Sequence, residues 1–472
     1  MALQRCGLVS FGLLLSLGVV AGCGGGGTTP APTSTATTTP SAAGESGETP
    51  QITTVAATDL PPTQTEVVTA ALSAEEAEEA MEADDEPVGE VVIAEPDKGT
   101  PEWLIQEILT TRVLPFAELP EVKEGDAESA AAHKQALDDQ KAQRRERNLK
   151  IVDLAKEAIS KTHSDPEKER VFQAAVHHLL DAHSQLALQG DRESVLAIYD
   201  AAEAFYKKMP ESDVAAEAQL TLVNLTHTHA NMYGKTEPTW IEEFARQTQT
   251  YAQRFPKDVG RCVGFLVAAA RSCEVNGLRS EAVASLTILQ QQFPDHPVTQ
   301  QWAGALRRLQ LPGQKLELAG PTMDGNFWDV EEQKTKGVVI VFWSTTVPAS
   351  VELLSKLAPV AKKYQKYSTV VCVNLDTDEL AVDNFLAEKG ISWPQIFFAE
   401  ADKRGWSSPI ATHYGLQKVP ALWLVDPEGV VVDTELDASN IEPKLHETLQ
   451  KYITAQRAIQ PVSGQTPDTA TK

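Results

Sequence analysis

The five cysteines carry the most reactive side chains of this sequence, and their spacing does not form a redox pair. They are Cys6, Cys23, Cys262, Cys273 and Cys372. Disulfide exchange needs one acidified thiolate to attack and a second thiol to resolve the mixed disulfide. Two such thiols are usually separated by two residues, and no two cysteines here have that spacing. The sequence therefore lacks a CxxC pair for thiol–disulfide chemistry.

The three cysteines beyond the N-terminal leader are expected to be structural. Cys372 lies in an apolar run of strand length, where a free cysteine is usually a small buried hydrophobe. Cys262 and Cys273 are expected in a helical hairpin, and the sequence leaves their pairing open. On one straight helix their offset would separate them by about 16 Å, which is too far for a disulfide.

Histidines in the middle of the chain are the next candidates for chemistry, as metal ligands. A helical metal site needs ligands on one face, and neither the pair His178 and His183 nor the pair His227 and His229 has a spacing that shares a face. The acidic block from residue 71 to residue 90 lacks the spaced ligands and turn glycine of a calcium loop. We expect no metal and no other cofactor.

The residues from 337 to 350, GVVIVFWSTTVPAS, predict the element around which the C-terminal part is organised. Their apolar run is too short for an independent helix and is typical of a strand buried on both faces. A short polar turn and Pro348 follow, and then apolar residues recur at helical spacing. The pattern predicts a buried strand that runs through a turn into a helix.

This stretch resembles the FWATWCPPC motif of the TlpA and ResA-like thioredoxin family of the bacterial cell envelope. The two family cysteines correspond to Val347 and Ser350, so no catalytic residue is expected at either position. The resemblance implies a cis-proline at Pro420, after Val419, beside a groove that pairs with an extended segment. It also implies that Trp343, Thr345 and Thr346 line this groove.

The same resemblance extends over residues 312–453 and implies an α/β thioredoxin-like domain, related to the AhpC/TSA proteins, with a central mixed sheet flanked by helices. Residues 316–326 match a β-hairpin that turns at Asp324-Gly325. Residues 369–376 predict a second buried strand that ends in an NLDTD loop. A helix from Leu380 to Lys389 is closed by Gly390, and a last helix is expected from Ile441 to Ile453.

Residues 149–311 have helical periodicity throughout and predict an α-helical repeat or bundle domain before the α/β domain. Apolar-Pro pairs followed by an Asp-bearing turn recur near Pro210, Pro256 and Pro294. This recurrence resembles tetratricopeptide-like repeats, and a plain helical bundle is the alternative. Residues 100–148 are expected to form a short helix and a polar linker, and the very polar stretch from Ala127 to Lys150 is either a solvated helix or a linker.

The N-terminus predicts export and lipid anchoring. Residues 1–22 have a basic start and a short apolar core, and the sequence VAGC ending at Cys23 resembles a bacterial lipobox. Acylation of Cys23 would anchor the protein to the membrane of the bacterial envelope. Gly24 in place of an aspartate favours the outer membrane if the cell is Gram-negative. Residues 23–99 are expected to be a disordered, low-complexity and acidic tether, and residues 454–472 a disordered tail.

The formal net charge of -25 argues against a nucleic-acid partner, because phosphate binding needs clustered Lys and Arg. The favoured function is that of an envelope-anchored, non-catalytic module that binds a protein or peptide. The alternatives are a thiol-disulfide oxidoreductase that uses Cys372, Cys262 or Cys273, and a peroxiredoxin-like antioxidant protein. Both alternatives need a reactive thiolate, which the helix start after Trp343 does not provide.

Overall fold

The computed structural model describes residues 96–123 and 125–459. The predicted leader with Cys23, the tether up to residue 95 and the last thirteen residues of the tail lie outside the described residues. Within the described part, a helical region precedes an α/β domain that contains the sheet. This order of a helical region and an α/β domain agrees with the predicted fold class.

Nine helices form the helical region in the described part of the chain. They are α1 (Pro101–Val113), α2 (Ala127–Thr162), α3 (Glu169–Leu188), α4 (Arg192–Lys208), α5 (Asp213–Tyr233), α6 (Thr239–Arg254), α7 (Val259–Val275), α8 (Arg279–Gln292) and α9 (Pro297–Gln310). Side-chain caps begin several of them: the Thr100 hydroxyl accepts from the Trp103 N–H, and the Ser212 hydroxyl accepts from the Ala215 N–H. Such caps satisfy N–H groups that have no partner inside the helix.

Helix α2 runs through the predicted boundary between residues 148 and 149. The polar stretch before residue 150 is the exposed first half of this helix, so of the two alternatives the solvated helix is correct and the linker is not. Its second half buries Ile151, Val152 and Ala155 against Ile108 of α1 and against α3. The polar half has no apolar face, so its composition resembles that of a linker although the buried half makes the helix stable.

Successive helices of this region pack against each other, with α5 against α6 and α7 against α8. Their shared core includes Phe244, Leu266 and Leu286. His177 of α3 and Glu217 of α5 meet with 2.6 Å between Nδ1 and Oε1, so these two helices also lie side by side. Both hairpin repeats and a bundle fit this packing, and the tetratricopeptide-like assignment stays a prediction.

The α/β domain contains a small hairpin and a five-stranded mixed sheet. Strands β1 (Ala319–Pro321) and β2 (Phe327–Asp329) form the hairpin, whose turn includes Gly325 at a φ of 81°. The sheet has the order β5-β4-β3-β6-β7. Its elements in chain order are β3 (Gly337–Trp343), α10 (Pro348–Tyr364), β4 (Ser368–Asn374), α11 (Glu379–Lys389), β5 (Gln395–Ile396), α12 (Pro409–His413), β6 (Ala421–Val425), β7 (Val431–Leu436) and α13 (Ile441–Ile459).

Strand β3 lies at the centre of this sheet and is buried along its whole length. It pairs in parallel with β4 and antiparallel with β6. Alternate residues of β3 belong to two cores on opposite faces, Ile340 and Phe342 on one and Val341 and Trp343 on the other. This explains the continuous apolar run, because both faces of the strand are covered.

Helix α13 extends to Ile459, six residues beyond the predicted end at Ile453. The helix therefore includes residues that the sequence assigned to a disordered tail. Residues 454–459, TAQRAI, are mostly good helix formers, and polarity alone does not end a helix.

The helical region contacts the α/β domain directly through α9. A Cβ atom placed on Gly304 would lie 2.6 Å from the backbone N of Gly415, which follows α12. Arg307 of α9 donates to the backbone carbonyl of His413, and Arg279 of α8 lies 3.3 Å from the Thr434 hydroxyl of β7. The two parts of the chain are thus joined by backbone packing and by polar contacts.

Candidate functional site

Four loops meet at one edge of the sheet. Strands β3, β4 and β5 are parallel, so their carboxyl ends point to the same edge, and β6 begins there because Ala421 pairs with Phe342. The loops are residues 344–347, 375–378, 397–408 and 418–420. Ligands of open α/β sheets bind outside the carboxyl ends of the strands, which makes this edge the candidate site.

The Asp376 carboxylate holds the loop after β3 in place. It accepts hydrogen bonds from the Ser344 hydroxyl at 2.6 Å, from the Thr345 N–H at 2.9 Å and from the Asn374 side-chain amide at 2.7 Å. The Thr345 hydroxyl donates a further bond at 3.0 Å. Asp376 is only 5% exposed, and none of the described salt bridges includes it. A buried carboxylate is thus satisfied by neutral donors, which fixes the shape of this loop.

Val347 and Ser350 occupy the start of α10. Val347 is the N-cap residue and makes no side-chain capping bond, and Pro348 follows in the first turn. Val347 is half-buried, whereas Ser350 is fully buried. The Ser350 hydroxyl has no hydrogen-bond partner among the described residues. A valine and a buried hydroxyl cannot act as a pair of thiols.

Trp343 does not line the groove, contrary to the prediction. Its side chain is fully buried, its Nε1–H donates to Gln395 Oε1 at 3.0 Å, and its ring packs near Phe385 of α11. Trp343 lies on the β3 face that is covered by α10 and α11. The other residues predicted to line the groove, Thr345, Thr346, Val419 and Pro420, are more exposed than Trp343.

Thr345 is half-buried and bonded to Asp376, and Thr346 is exposed. Val419 and Pro420 are half-buried and lie directly before β6 at the same edge. The peptide bond between them is cis. The edge therefore brings together Thr345, Thr346, Val347 and Pro420, and places Trp343 beneath them.

The three cysteines within the described residues lie away from these loops. Cys262 and Cys273 are free and share helix α7, and Cys372 is free in the middle of β4. All three are buried. Burial raises the pKa of each thiol to about 12, because the thiolate loses its hydration. A thiol with this pKa is almost entirely protonated at neutral pH and is a poor nucleophile.

No group of three or more His, Cys, Asp or Glu side chains in the described part of the chain is arranged to hold a metal ion. His183 contacts the Ser194 hydroxyl at 3.1 Å, and His229 contacts the backbone carbonyl of Leu225 at 2.9 Å. These histidines are thus satisfied by neighbours within the helical region.

None of the helices that the structure describes is both long and apolar enough to cross a membrane.

Two features of this edge were not found from the sequence. The first is the role of Asp376, which the sequence marks only as part of the NLDTD loop. A signal existed, because Ser344, Thr345 and Asn374 end or follow two strands that are predicted to be buried. The second is a pair of exposed apolar side chains, Leu380 in the first turn of α11 and Trp406 in the loop after β5. No local pattern connects these two residues.

Comparison with known proteins places the resemblance in the C-terminal domain. Residues 310–450 match the family model described as Redoxin. The thiol-disulfide oxidoreductase ResA of Bacillus subtilis (strain 168) is 26% identical over 110 residues, which cover 23% of this chain and 58% of ResA. The match thus spans less than two thirds of that relative. The C-terminal domain is therefore a redoxin domain with a thioredoxin-like fold, as predicted.

Two solved structures also match part of this chain. The thioredoxin domain of a thiol-disulfide oxidoreductase from Bacteroides vulgatus is 22% identical, with 30% of this chain and 97% of that chain covered and a TM-score of 0.26. A putative thiol:disulfide interchange protein DsbE from Chlorobium tepidum is 21% identical, with 29% and 97% covered and a TM-score of 0.26.

Proposed function

We propose that this chain is a redox-inactive, thioredoxin-like binding protein of the bacterial envelope. Its redoxin domain would hold an extended segment of a protein or peptide partner at the edge formed by residues 344–347 and 418–420. The observation that carries the proposal is the start of α10, where Val347 is the N-cap residue and the buried Ser350 lies in the first turn. The sequence resemblance aligns these two residues with the family's cysteines. The fold is that of thiol-disulfide oxidoreductases, and the chemistry of these two residues differs from theirs.

The groove needs no thiol to bind. An extended segment binds a sheet protein mainly through main-chain hydrogen bonds, and side-chain pockets add specificity. The loop before α10 is fixed by the Asp376 carboxylate, and Val347, Thr346 and Pro420 remain at least partly accessible. A fixed loop lowers the entropy that binding must offset. These features favour retention of a binding groove after loss of the thiols.

Thiol–disulfide exchange or a peroxidase reaction is the second candidate, because the relatives are named as oxidoreductases. The reaction would have to use Cys262, Cys273 or Cys372. Burial and the raised pKa of each thiol oppose attack on a disulfide or a peroxide. The binding function therefore agrees better with the site.

Anchoring through Cys23 is the second half of the proposal. The lipobox-like sequence before Cys23 supports acylation, and the envelope location of the resembled family agrees with export. The anchor and the long polar segment that follows would hold the folded part near the membrane surface, with the outer membrane favoured by Gly24. Mass spectrometry of the purified protein and of a Cys23→Ser variant tests this step. Loss of the acyl mass and release from membranes are expected for the variant.

The binding step is tested with an array of cysteine-free, unstructured peptides and the chain from Thr28 onward, which keeps every residue that the structure describes. A Val347→Arg variant places a long charged side chain at the centre of the groove and should lower peptide binding about tenfold or more. Leu196→Arg, at an exposed position of α4, is the control and should bind as the wild type does. Equal binding by the wild type and Val347→Arg would contradict the proposed groove.

A further inference from the structure

Trp406 and Leu380 are exposed apolar side chains on the loop edge that carries the proposed groove. Trp406 is 50% exposed and Leu380 is 67% exposed. Trp406 belongs to the loop after β5, and Leu380 lies in the first turn of α11 after β4. The parallel strands β4 and β5 are neighbours, so these two segments are adjacent at the edge.

Direct contacts join the two segments. A Cβ atom placed on Gly405 would lie 3.2 Å from Cγ2 of Thr377, so the backbone before Trp406 lies against the loop before Leu380. Arg404 Nη2 forms a 2.7 Å ion pair with Glu379, the residue before Leu380. Both exposed side chains are thus next to residues that contact each other.

The loop that carries Trp406 is held rigidly by Arg404. The guanidinium donates to the backbone carbonyls of Phe398 at 2.9 Å, Ala399 at 2.8 Å and Thr377 at 3.3 Å, and lies 4.7 Å from the centre of the Phe397 ring. A half-exposed tryptophan on a fixed loop is preorganised for contact, because little further ordering is needed when a partner binds. Tryptophan is also enriched among the residues that dominate interface energies.

The charge around this pair is negative. Residues 376–408 contain seven acidic and three basic side chains. All three basic side chains are paired within the segment, Lys389 with Glu388, Lys403 with Glu400 and Arg404 with Glu379. The exposed carboxylates of Asp378, Asp383 and Asp402 have no cationic partner among the described salt bridges. Lys418 lies on the opposite, β6 side of the edge.

We propose that Trp406 and Leu380 form an apolar subsite that extends the groove and binds an apolar or aromatic side chain flanked by Lys or Arg in the extended partner segment. This inference rests on the proposed binding function and names its partner class. The apolar pair supplies the contact area, and the unpaired carboxylates supply the preference for flanking positive charge.

The test uses short fluorescein-labelled Gly/Ser peptides as probes, measured by fluorescence anisotropy with the chain from Thr28 onward. One probe carries Phe between lysines, a second carries Phe between glutamates, and a third carries the lysines without Phe. The first probe is expected to bind most tightly, with an affinity about tenfold or more higher than the affinity of the other two probes. Added salt should weaken its binding, since the flanking charges are exposed.

Variants assign the binding to the subsite. Trp406→Ala and Leu380→Ala should each weaken the binding of the first probe, whereas Trp406→Phe should keep most of the affinity for this probe. Leu196→Ala, at an exposed leucine of α4, is the matched control and should have no effect. Asp402→Asn and Asp383→Asn should narrow the difference between the lysine and glutamate probes, without change in the circular dichroism spectrum.

Separate outcomes distinguish this inference from the proposed function. If Val347→Arg abolishes probe binding and Trp406→Ala does not change it, the groove stands and the subsite is contradicted. If the wild type does not prefer the first probe, or binds none of the three, the proposed partner class is contradicted. Whether the groove itself binds is then decided by the separate peptide-array comparison of the wild type with Val347→Arg.

Discussion

The hydroxyl of Ser344 donates a 2.6 Å hydrogen bond to the carboxylate of Asp376, across the loops that follow two neighbouring parallel strands. This bond joins the loop before α10 to the loop after β4. Asp376 thus fixes the segment that leads to Val347, the N-cap residue of α10. A buried polar network therefore supports the start of this helix.

Asp376→Ala should destabilise the domain by about 2–4 kcal/mol, because it leaves the donors of Ser344, Thr345 and Asn374 without their acceptor in a buried position. Urea unfolding followed by circular dichroism measures the change. Asp383→Ala removes an exposed carboxylate of α11 and should change stability by less than about 0.5 kcal/mol. Similar stabilities for both variants would show that the network does not hold the loop.

Gly304→Ala should destabilise the protein, because the new Cβ would lie 2.6 Å from the backbone N of Gly415 and 2.7 Å from the carbonyl of Thr412. Backbone atoms cannot move aside as a flexible side chain can, so a loss of about 1–3 kcal/mol is expected. Gly264→Ala is the matched control, since a Cβ at that α7 position meets no atom within 4 Å. It should gain about 0.5–1 kcal/mol from helix propensity, and the opposite order would refute the close packing of α9 on the α/β domain.

The stability of the helical region should fall as the pH falls from about 6.5 to about 4. Burial, with a smaller contribution from the nearby Arg112 charge, lowers the pKa of His178 to about 4, from 6.5. The unfolded chain therefore binds this proton at a higher pH than the folded chain, and acidification favours unfolding. The slope for one linked proton is at most about 1.4 kcal/mol per pH unit.

His178→Gln removes this proton and should flatten the pH dependence of the unfolding midpoint between pH 4 and pH 6.5. Burial also lowers the pKa of His183 and His227, so part of the slope should remain in this variant. An unchanged slope in His178→Gln would contradict a buried, neutral His178.

The three described cysteines should react slowly with iodoacetamide in the native state. Each is buried, and burial raises the pKa of each thiol to about 12, so both access and thiolate content are low. Mass spectrometry should detect labelling only at the rate at which the protein unfolds, and urea should accelerate it. Rapid labelling of Cys262, Cys273 or Cys372 without denaturant would identify a reactive thiol and favour the oxidoreductase alternative.

The elements near the site could be predicted because their signals are local. The apolar run before Trp343 gave a strand, Asp324-Gly325 gave a hairpin turn, and Gly390 gave the end of α11, which it closes at a φ of 64°. The side to which Trp343 points could not be predicted in this way. Both faces of β3 are buried, so the sequence has no alternation that marks one face.

Long-range packing decides what the local patterns left open. The polar first half of α2 is compatible with a helix or a linker, and the packing of Ile151 and Val152 against Ile108 of α1 stabilises the helix. Leu380 and Trp406 are brought near each other only because β4 and β5 pair, and β5 is two residues long and gives little signal of its own. The proximity of such residues depends on the assembled sheet and not on their spacing in the sequence.

Insulin reduction by the chain from Thr28 onward tests whether the redoxin domain lacks disulfide-exchange activity, with a Val347→Cys/Ser350→Cys double variant measured beside it. We expect no activity in the wild type and gained activity in the variant, because the variant supplies two thiols at the start of α10 on a thioredoxin-like scaffold. A Val347→Cys single variant controls for a lone thiol and should not sustain turnover. Turnover by the wild type would contradict a redox-inactive domain, since one of the three buried cysteines would then be catalytic.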